Sequence, residues 1–232
     1  MGVTIHFKLA LGPEAPNLDG LRASWAVKEA WALAKKFKRR GRFNAVTRLA
    51  HEPQVLRQEA EQYVHYVHPR HGTQWCDVMP LRGWVFVADV GADCEPLRIG
   101  LCEYPAHIFH LGDDRATRLR GWRLAAFSKT QYASLHGWEH FRRCHVAIVD
   151  FLAALRPLGF DVKISDEGHY WPRRSERNLR GEIEMMNRLV AAAAGALKDA
   201  HEESGGVQAA IFAHPQFERL EAQGADLLEK RS

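Results

Sequence analysis

Long apolar runs are missing from this chain. Its most hydrophobic segment, Leu189 to Leu197, is followed within a few residues by Lys198 and Asp199. That is shorter than the ~20 apolar residues a membrane-spanning helix needs, so no membrane span is expected. The opening residues, MGVTIHFKLALG, lack the apolar core of a signal peptide, so export is not expected either. Cysteine is scarce. Cys76, Cys94, Cys102 and Cys144 are the only four, and no two form a C-x-x-C pair. That argues against a disulfide scaffold. The four are read as reduced thiols, some of them small core residues, and the chain is placed in the cytoplasm. Charge of one sign is lacking as well: 32 basic against 28 acidic residues leave +4, too little to name an anionic partner. Walker A, G-x-G-x-x-G and G-x-S-x-G patterns are absent. NTPase, dinucleotide-binding and α/β-hydrolase readings therefore lose support. No repeat, low-complexity tract or linker interrupts the chain.

What is present is ordinary for a folded protein: 232 residues, 46% hydrophobic and 26% charged. The pattern predicts one α+β domain over 1–232, a mixed sheet with helices packed against it, with 205–232 as a helical C-terminal arm. Val3, Ile5, Phe7 and Leu9 alternate as a strand over 3–11, and Gly12 to Pro16 break it. A helix from Asn17 or Asp19 to Arg40 comes next, with Gly41 as its stop. Gln54 to Val67 has near-helical spacing ended by Pro69 and is read as a second helix. Trp84–Val87 and Leu97–Leu101 form a hairpin pair of strands, and a short strand lies at 106–109 before the turn Gly112-Asp113-Asp114. Residues 122–132 read as a strand with an apolar middle, Leu124 to Phe127, buried on both faces. A helix at 136–157, a strand at 161–165, a long helix from Ser175 to about Ala200, broken by Gly205-Gly206, and a short helix at 217–228 complete the chain.

Strand 122–132, helix 136–157 and strand 161–165 make a βαβ unit, whose two strands run parallel and end at one sheet edge. Ligands favour that edge in open sheets, and helix N-termini there offer free N–H groups. The edge gathers Lys129, Gln131, Tyr132, His136, Asp166, Glu167, Tyr170 and Trp171. Asp166, Glu167, Lys129 and Gln131 are the candidate catalytic groups, orienting or activating a polar small molecule. Tyr132, His136, Tyr170 and Trp171 are candidate ligand-binding groups. The competing reading is structural: adjacent Asp166 and Glu167 point to opposite faces of an extended chain, Lys129 pairs with Asp166, and the aromatics belong to the core.

The segments KTQYA at 129–133 and DEGHYW at 166–171 resemble segments of an uncharacterised family of bacterial proteins of similar size, the likeness covering the C-terminal half best. The resemblance implies no activity and no cofactor.

Other constellations are weaker. His136, His140 and Cys144 share one helical face at spacing four, a low-ranking metal candidate without the glutamate of H-E-x-x-H. His65, His68, His71 and Cys76 form a second cluster, with His65 and His68 on one helix face. His214-Pro215-Gln216-Phe217 resembles the core of a streptavidin-binding tag and is read as native sequence. Lys35–Arg42 is basic, but such cations also suit a helix C-terminus, and no nucleic-acid motif accompanies them. Nucleic acid is therefore not favoured. The leading reading is a small-molecule-binding or hydrolytic domain. The alternative is a non-enzymatic adaptor or immunity-type protein, whose Ala-rich helix 176–200 pairs with a second copy or another chain. Binding of nucleic acid through 35–42 ranks third.

Overall fold

The structure is a computed structural model that describes residues 3–12, 19–200 and 208–229. Alternation shapes β1 (Thr4–Leu11). Ile5, Phe7 and Leu9 are buried, while His6 and Lys8 are exposed. Helix α1 (Asp19–Arg39) comes next, then β2 (Ala45–Val46), α2 (Pro53–Glu59), and the hairpins β3 (Gln62–His68) with β4 (Gly72–Val78) and β5 (Arg82–Asp89) with β6 (Leu97–Glu103). A further hairpin, β7 (His107–His110) and β8 (Asp113–Ala116), precedes β9 (Arg123–Lys129), α3 (Trp138–Ala154), β10 (Phe160–Asp166), α4 (Glu176–Ala200) and α5 (Phe217–Glu229). The class is α+β. No described helix is long and apolar enough to cross a membrane.

Six strands form one sheet in the order β10-β1-β9-β6-β5-β2. Strand β1 is antiparallel to both β9 and β10, so those two run the same way with β1 between them. The unit β9-α3-β10 is thus a split βαβ: its strands are codirectional but not neighbours, a correction to the simple βαβ pairing. The order β10-β1-β9-β6, with α1 and α3, is that of a ferredoxin-like sheet. The N-terminal strand takes the central place because its alternate apolar residues meet both helices. Val27, Ala30, Ala34 and Phe37 of α1 join Phe141, Cys144, Ile148 and Phe151 of α3 in the core that covers Ile5, Phe7 and Leu9. Helix α1 ends as expected: Gly41 takes φ +68°, and Lys36, Lys38 and Arg39 occupy the last turn. Ser175 accepts the Asn178 N–H at 3.2 Å and starts α4. Helix α4 gives Leu179 and Ile183 to the main core and packs Ala191 and Ala194 against Ile211 and Leu220 near the C-terminus.

The other sheet face is only partly covered. Helix α2 and hairpin β3–β4 bury a smaller core of Leu56, Ala60, Val78, Val85, Cys102 and Tyr104 over the β5–β6 side, and leave β1, β9 and β10 open.

Three expectations change. Residues 62–68 form a strand rather than the end of a helix. Their apolar positions satisfy both periods locally, and pairing with β4 decides. His65 and His68 therefore lie on opposite faces, His65 exposed and His68 buried. Strand β9 is not buried on both faces, since Phe127 is exposed. The helix start at Asn17, the break at 13–16 and Gly205-Gly206 lie outside the described residues.

His68 anchors the β3–β4 turn. Its Nδ1 accepts the N–H groups of Arg70 and His71 at 3.0 and 3.2 Å, and Nε2 lies 3.4 Å from Asp113 on β8. Burial, then the charge of His71, pushes its pKa below the ordinary value, against the pull of Asp113. The folded turn thus binds the proton less readily than the unfolded chain. This contribution to stability is present above about pH 6.5 and is lost as pH falls through the folded pKa. Thermal melts followed by tryptophan fluorescence will show that loss, and His68→Asn will remove that part of the pH slope.

Candidate functional site on the open sheet face

The open face carries two rows of side chains across three strands. The register sets Phe127, His6 and Ser165 side by side on β9, β1 and β10, and Ala125, Lys8 and Lys163 in the next row. One wall rises beside them. Gln58, Glu59, Glu61, Gln62 and Tyr63, from the end of α2 to the start of β3, join Arg98 of β6 to enclose a groove of about 620 Å³. That volume falls within the range of small-molecule sites.

The groove exists because the sheet splays. Strand β9 keeps one register pair with β6, Cys102 opposite Arg123. Beyond it, the buried Gln62 amide replaces a strand. Its Nε2 donates to the Ala125 carbonyl at 2.9 Å, and its Oε1 accepts the Ala125 N–H at 3.1 Å. A central-strand backbone is thereby satisfied, and the small side chain of Ala125 keeps the floor low.

The electrostatics are lopsided. Lys8 and Lys163 stand directly opposite each other, an arrangement that destabilises an antiparallel pair. Neither forms an ion pair among the described residues. The nearby acids are engaged elsewhere: Glu59 with Arg98 at 2.8 Å, Glu61 with the Tyr63 hydroxyl at 2.9 Å, and Glu167 with the Thr4 N–H at 3.0 Å and His6 at 3.5 Å. The His6 ring tilts against Phe127 at 5.9 Å, and half of Phe127 remains exposed. Two uncompensated ammonium groups thus share a depression with an aromatic surface.

The KTQY and DEG segments do leave the sheet at one edge, Lys129 opposite Thr4 and Asp166 opposite Ile5. Their side chains then part. The Asp166 side chain turns inward and is fully buried. It accepts the Gly168 and Trp171 N–H groups at 2.7 and 2.8 Å and lies 3.1 Å from His145 Nε2, off the line of a full hydrogen bond. His145 Nδ1 in turn meets the Thr130 hydroxyl at 2.9 Å, and Thr130 reaches the Val3 carbonyl at 3.3 Å. Burial pushes the Asp166 pKa up most strongly, but His145 and the two N–H donors outweigh it and hold the carboxyl below its usual range. His145 and Thr130 are both fully buried, so this chain of polar contacts organises the 166–171 loop from inside.

Glu167 points the other way, toward His6. Lys129 turns to Tyr132, its Nζ 3.3 Å from the hydroxyl, and makes no ion pair with Asp166. Gln131 is buried with Ser134 and Asn187, its Nε2 3.5 Å from Asn187 Oδ1. Tyr170 packs edge-on against His145, and the guanidinium groups of Arg156 and Arg174 both lie over the Trp171 ring, at 4.9 and 5.1 Å. His136 binds Asp93 at 2.6 Å and His140 meets the Ala92 carbonyl at 3.0 Å. Among the described residues, no three His, Cys, Asp or Glu side chains converge as a metal site. In the basic run, Lys35 lies over the Trp31 ring and Arg42 binds Asp150 at 2.6 Å, as does Arg174 at 2.5 Å. Sequence reasoning missed His6, Lys8, Lys163, Phe127 and Gln62. The alternation that made 3–11 a strand also marked His6 and Lys8 as outward, the one signal available for them.

Comparison with protein families, curated proteins and solved structures finds no match for this chain. A function for it therefore rests on the geometry of its own residues.

Two substitutions probe the frame. Gln62→Ala leaves the Ala125 backbone groups unpaired and will cost about 1–3 kcal/mol in denaturant titration. Asp166→Ala will cost about 1–3 kcal/mol by leaving the Gly168 and Trp171 N–H groups without their acceptor. Because the Asp166 pKa is depressed on folding, its contribution is complete above about pH 4 and is lost as pH falls through the lower folded value. The variant will lack that acid limb.

Proposed function

We propose that this chain binds a small anionic molecule in the open-face groove. The observation that carries the reading is the pair Lys8 and Lys163, opposite each other, without carboxylate partners among the described residues, on the floor of a groove walled on one side. Like charges held in register cost stability; a carboxylate or phosphate between them turns that cost into charge-assisted hydrogen bonds. Phe127 and His6 supply a surface for an apolar or aromatic part of the same ligand. Tyr63, Gln58 and Arg98 stand where they would set its orientation. Glu167 lies 3.5 Å from His6, the one contact between the sheet-edge cluster and this groove that the reading uses. The groove lining shows no nucleophile hydrogen-bonded to a base among the described residues, and the proposal is accordingly one of binding. Part of the same reading is a cytoplasmic setting, in keeping with four cysteines that are all free thiols.

Adenosine monophosphate is a suitable probe, with adenosine and inorganic phosphate as its separate halves. Titration calorimetry should show the monophosphate binding more tightly than either half and weakening as salt rises. The double variant Lys8→Ala, Lys163→Ala should lower that affinity by about 10-fold or more. Its unliganded melting temperature should hold or rise, since a repulsion is removed. Equal binding by wild type and double variant, or a preference for adenosine over the monophosphate, would sink the proposal.

A further inference from the structure

Five aromatic residues among those described are half or more exposed: Trp25, Tyr63, Trp75, Phe109 and Phe127. Three of the five follow one path. Phe127 and Tyr63 line the groove, one on its floor and one on its wall. Trp75 lies beyond it, on the hairpin β3–β4. The register sets Tyr63 opposite Asp77 and His65 opposite Trp75. Trp75 is therefore the diagonal neighbour of Tyr63, at a spacing of about 7–8 Å. Tyr63, His65, Val67 and Trp75 share one face of the hairpin, and all four are exposed.

The path repeats one unit. His6 and Phe127 stand opposite each other on β1 and β9, with ring centroids 5.9 Å apart and an interplanar angle of 43°. His65 and Trp75 do the same on β3 and β4, at 5.1 Å and 39°. Each is an imidazole tilted on a larger ring, held in place by a backbone ladder. Spaced aromatic surfaces suit nucleobases, whose faces are free in a single strand and stacked away in a duplex. Cations stand at the two ends of the path. Lys8 and Lys163 are in the groove, and Arg70 is in the exposed turn at the far end of the hairpin; none of the three has an ion pair among the described residues. Asp77 is the one acid on the outward hairpin face. It keeps phosphates off the middle of the ribbon, so bases meet the rings and the backbone meets the cations. A ligand of one nucleotide is held by the groove alone and leaves Trp75 uncovered, whereas a strand covers both.

Resting on the anion-binding reading of the groove, we infer that its ligand is one nucleotide of a single-stranded nucleic acid, and that the strand runs on along the outward face of the β3–β4 hairpin. This path is separate from the basic run 35–42, where Lys35 lies over the Trp31 ring and Arg42 binds Asp150.

The test titrates the whole chain, by fluorescence anisotropy, against fluorescein-labelled oligoadenylate of about ten nucleotides, as RNA, as DNA and annealed to its complement. Adenosine monophosphate competes in parallel. A single strand should bind at least about 10-fold more tightly than the monophosphate, more tightly than the duplex, and less tightly as salt rises. Such binding by the RNA or the DNA form supports the inference and identifies the strand. Trp75→Ala, at an exposed position, should keep the wild-type circular dichroism and the affinity for the monophosphate, and should lower that for the strand about 10-fold. Binding of the monophosphate with no gain for the longer strand, equal binding of the duplex, or a strand affinity untouched by Trp75→Ala would overturn this inference and leave the groove reading standing. Failure of monophosphate and strand alike would overturn the two together. A dimer in sedimentation that Trp75→Ala dissolves, with no strand bound, would give the hairpin face to a second copy and overturn the inference as well.

Discussion

Strand β1 lies between β9 and β10, and everything else in the molecule depends on that position. Both neighbours hydrogen-bond to it along nearly its full length. One set of its side chains, Ile5, Phe7 and Leu9, is sealed beneath α1 and α3, while the other set, His6 and Lys8, is left outward. A strand with period two cannot slip by one residue without exchanging those sets. Burying three large apolar side chains in the core therefore fixes where the cation and the imidazole of β1 stand. The same constraint sends Asp166, the last residue of β10, inward and Glu167, just beyond it, outward, so neighbouring acids take unrelated roles. Asp166 orders a loop from within, and Glu167 meets the Thr4 N–H and the His6 ring.

The two faces divide the labour of the fold. The helix-covered face holds the polar chain from Asp166 through His145 to Thr130, closed off from solvent on every side. Its close contacts compensate the burial of a carboxylate, which is otherwise costly. The open face keeps two lysines that nothing in the described chain neutralises. Stability is concentrated where water is excluded, and unbalanced charge where a ligand has room.

Much of the architecture was legible in the residues. The strand at 3–11, the helix closed by Gly41, the hairpin around Gly91 to Pro96, the helix carrying Phe141 to Leu155 and the Ser175-capped helix each rest on local periodicity and end signals, which are properties of short segments. The misreadings share one cause. Residues 62–68 suit a helix or a strand until β4 is laid beside them. The placement of β1 between the two strands of the βαβ unit depends on pairings more than 110 residues apart in the chain, beyond the reach of any local pattern. Lys8 and Lys163 become a pair only through that pairing, and Gln62 meets Ala125 only because the sheet has opened. The KTQY and DEG segments leave one end of the sheet together, as their strand assignments implied. Which way each side chain turns from it was set by packing against His145, α4 and the 90–95 turn.

Gln62 has one more implication. A wall that belonged to the sheet would be held at the ladder spacing, whatever its sequence. Here the β3–β4 hairpin reaches the floor through a single amide at the end of two methylenes. The width of the groove at that point is thus set by the reach of one side chain, while the core around Val78, Val85 and Tyr104 holds the hairpin to the rest of the sheet.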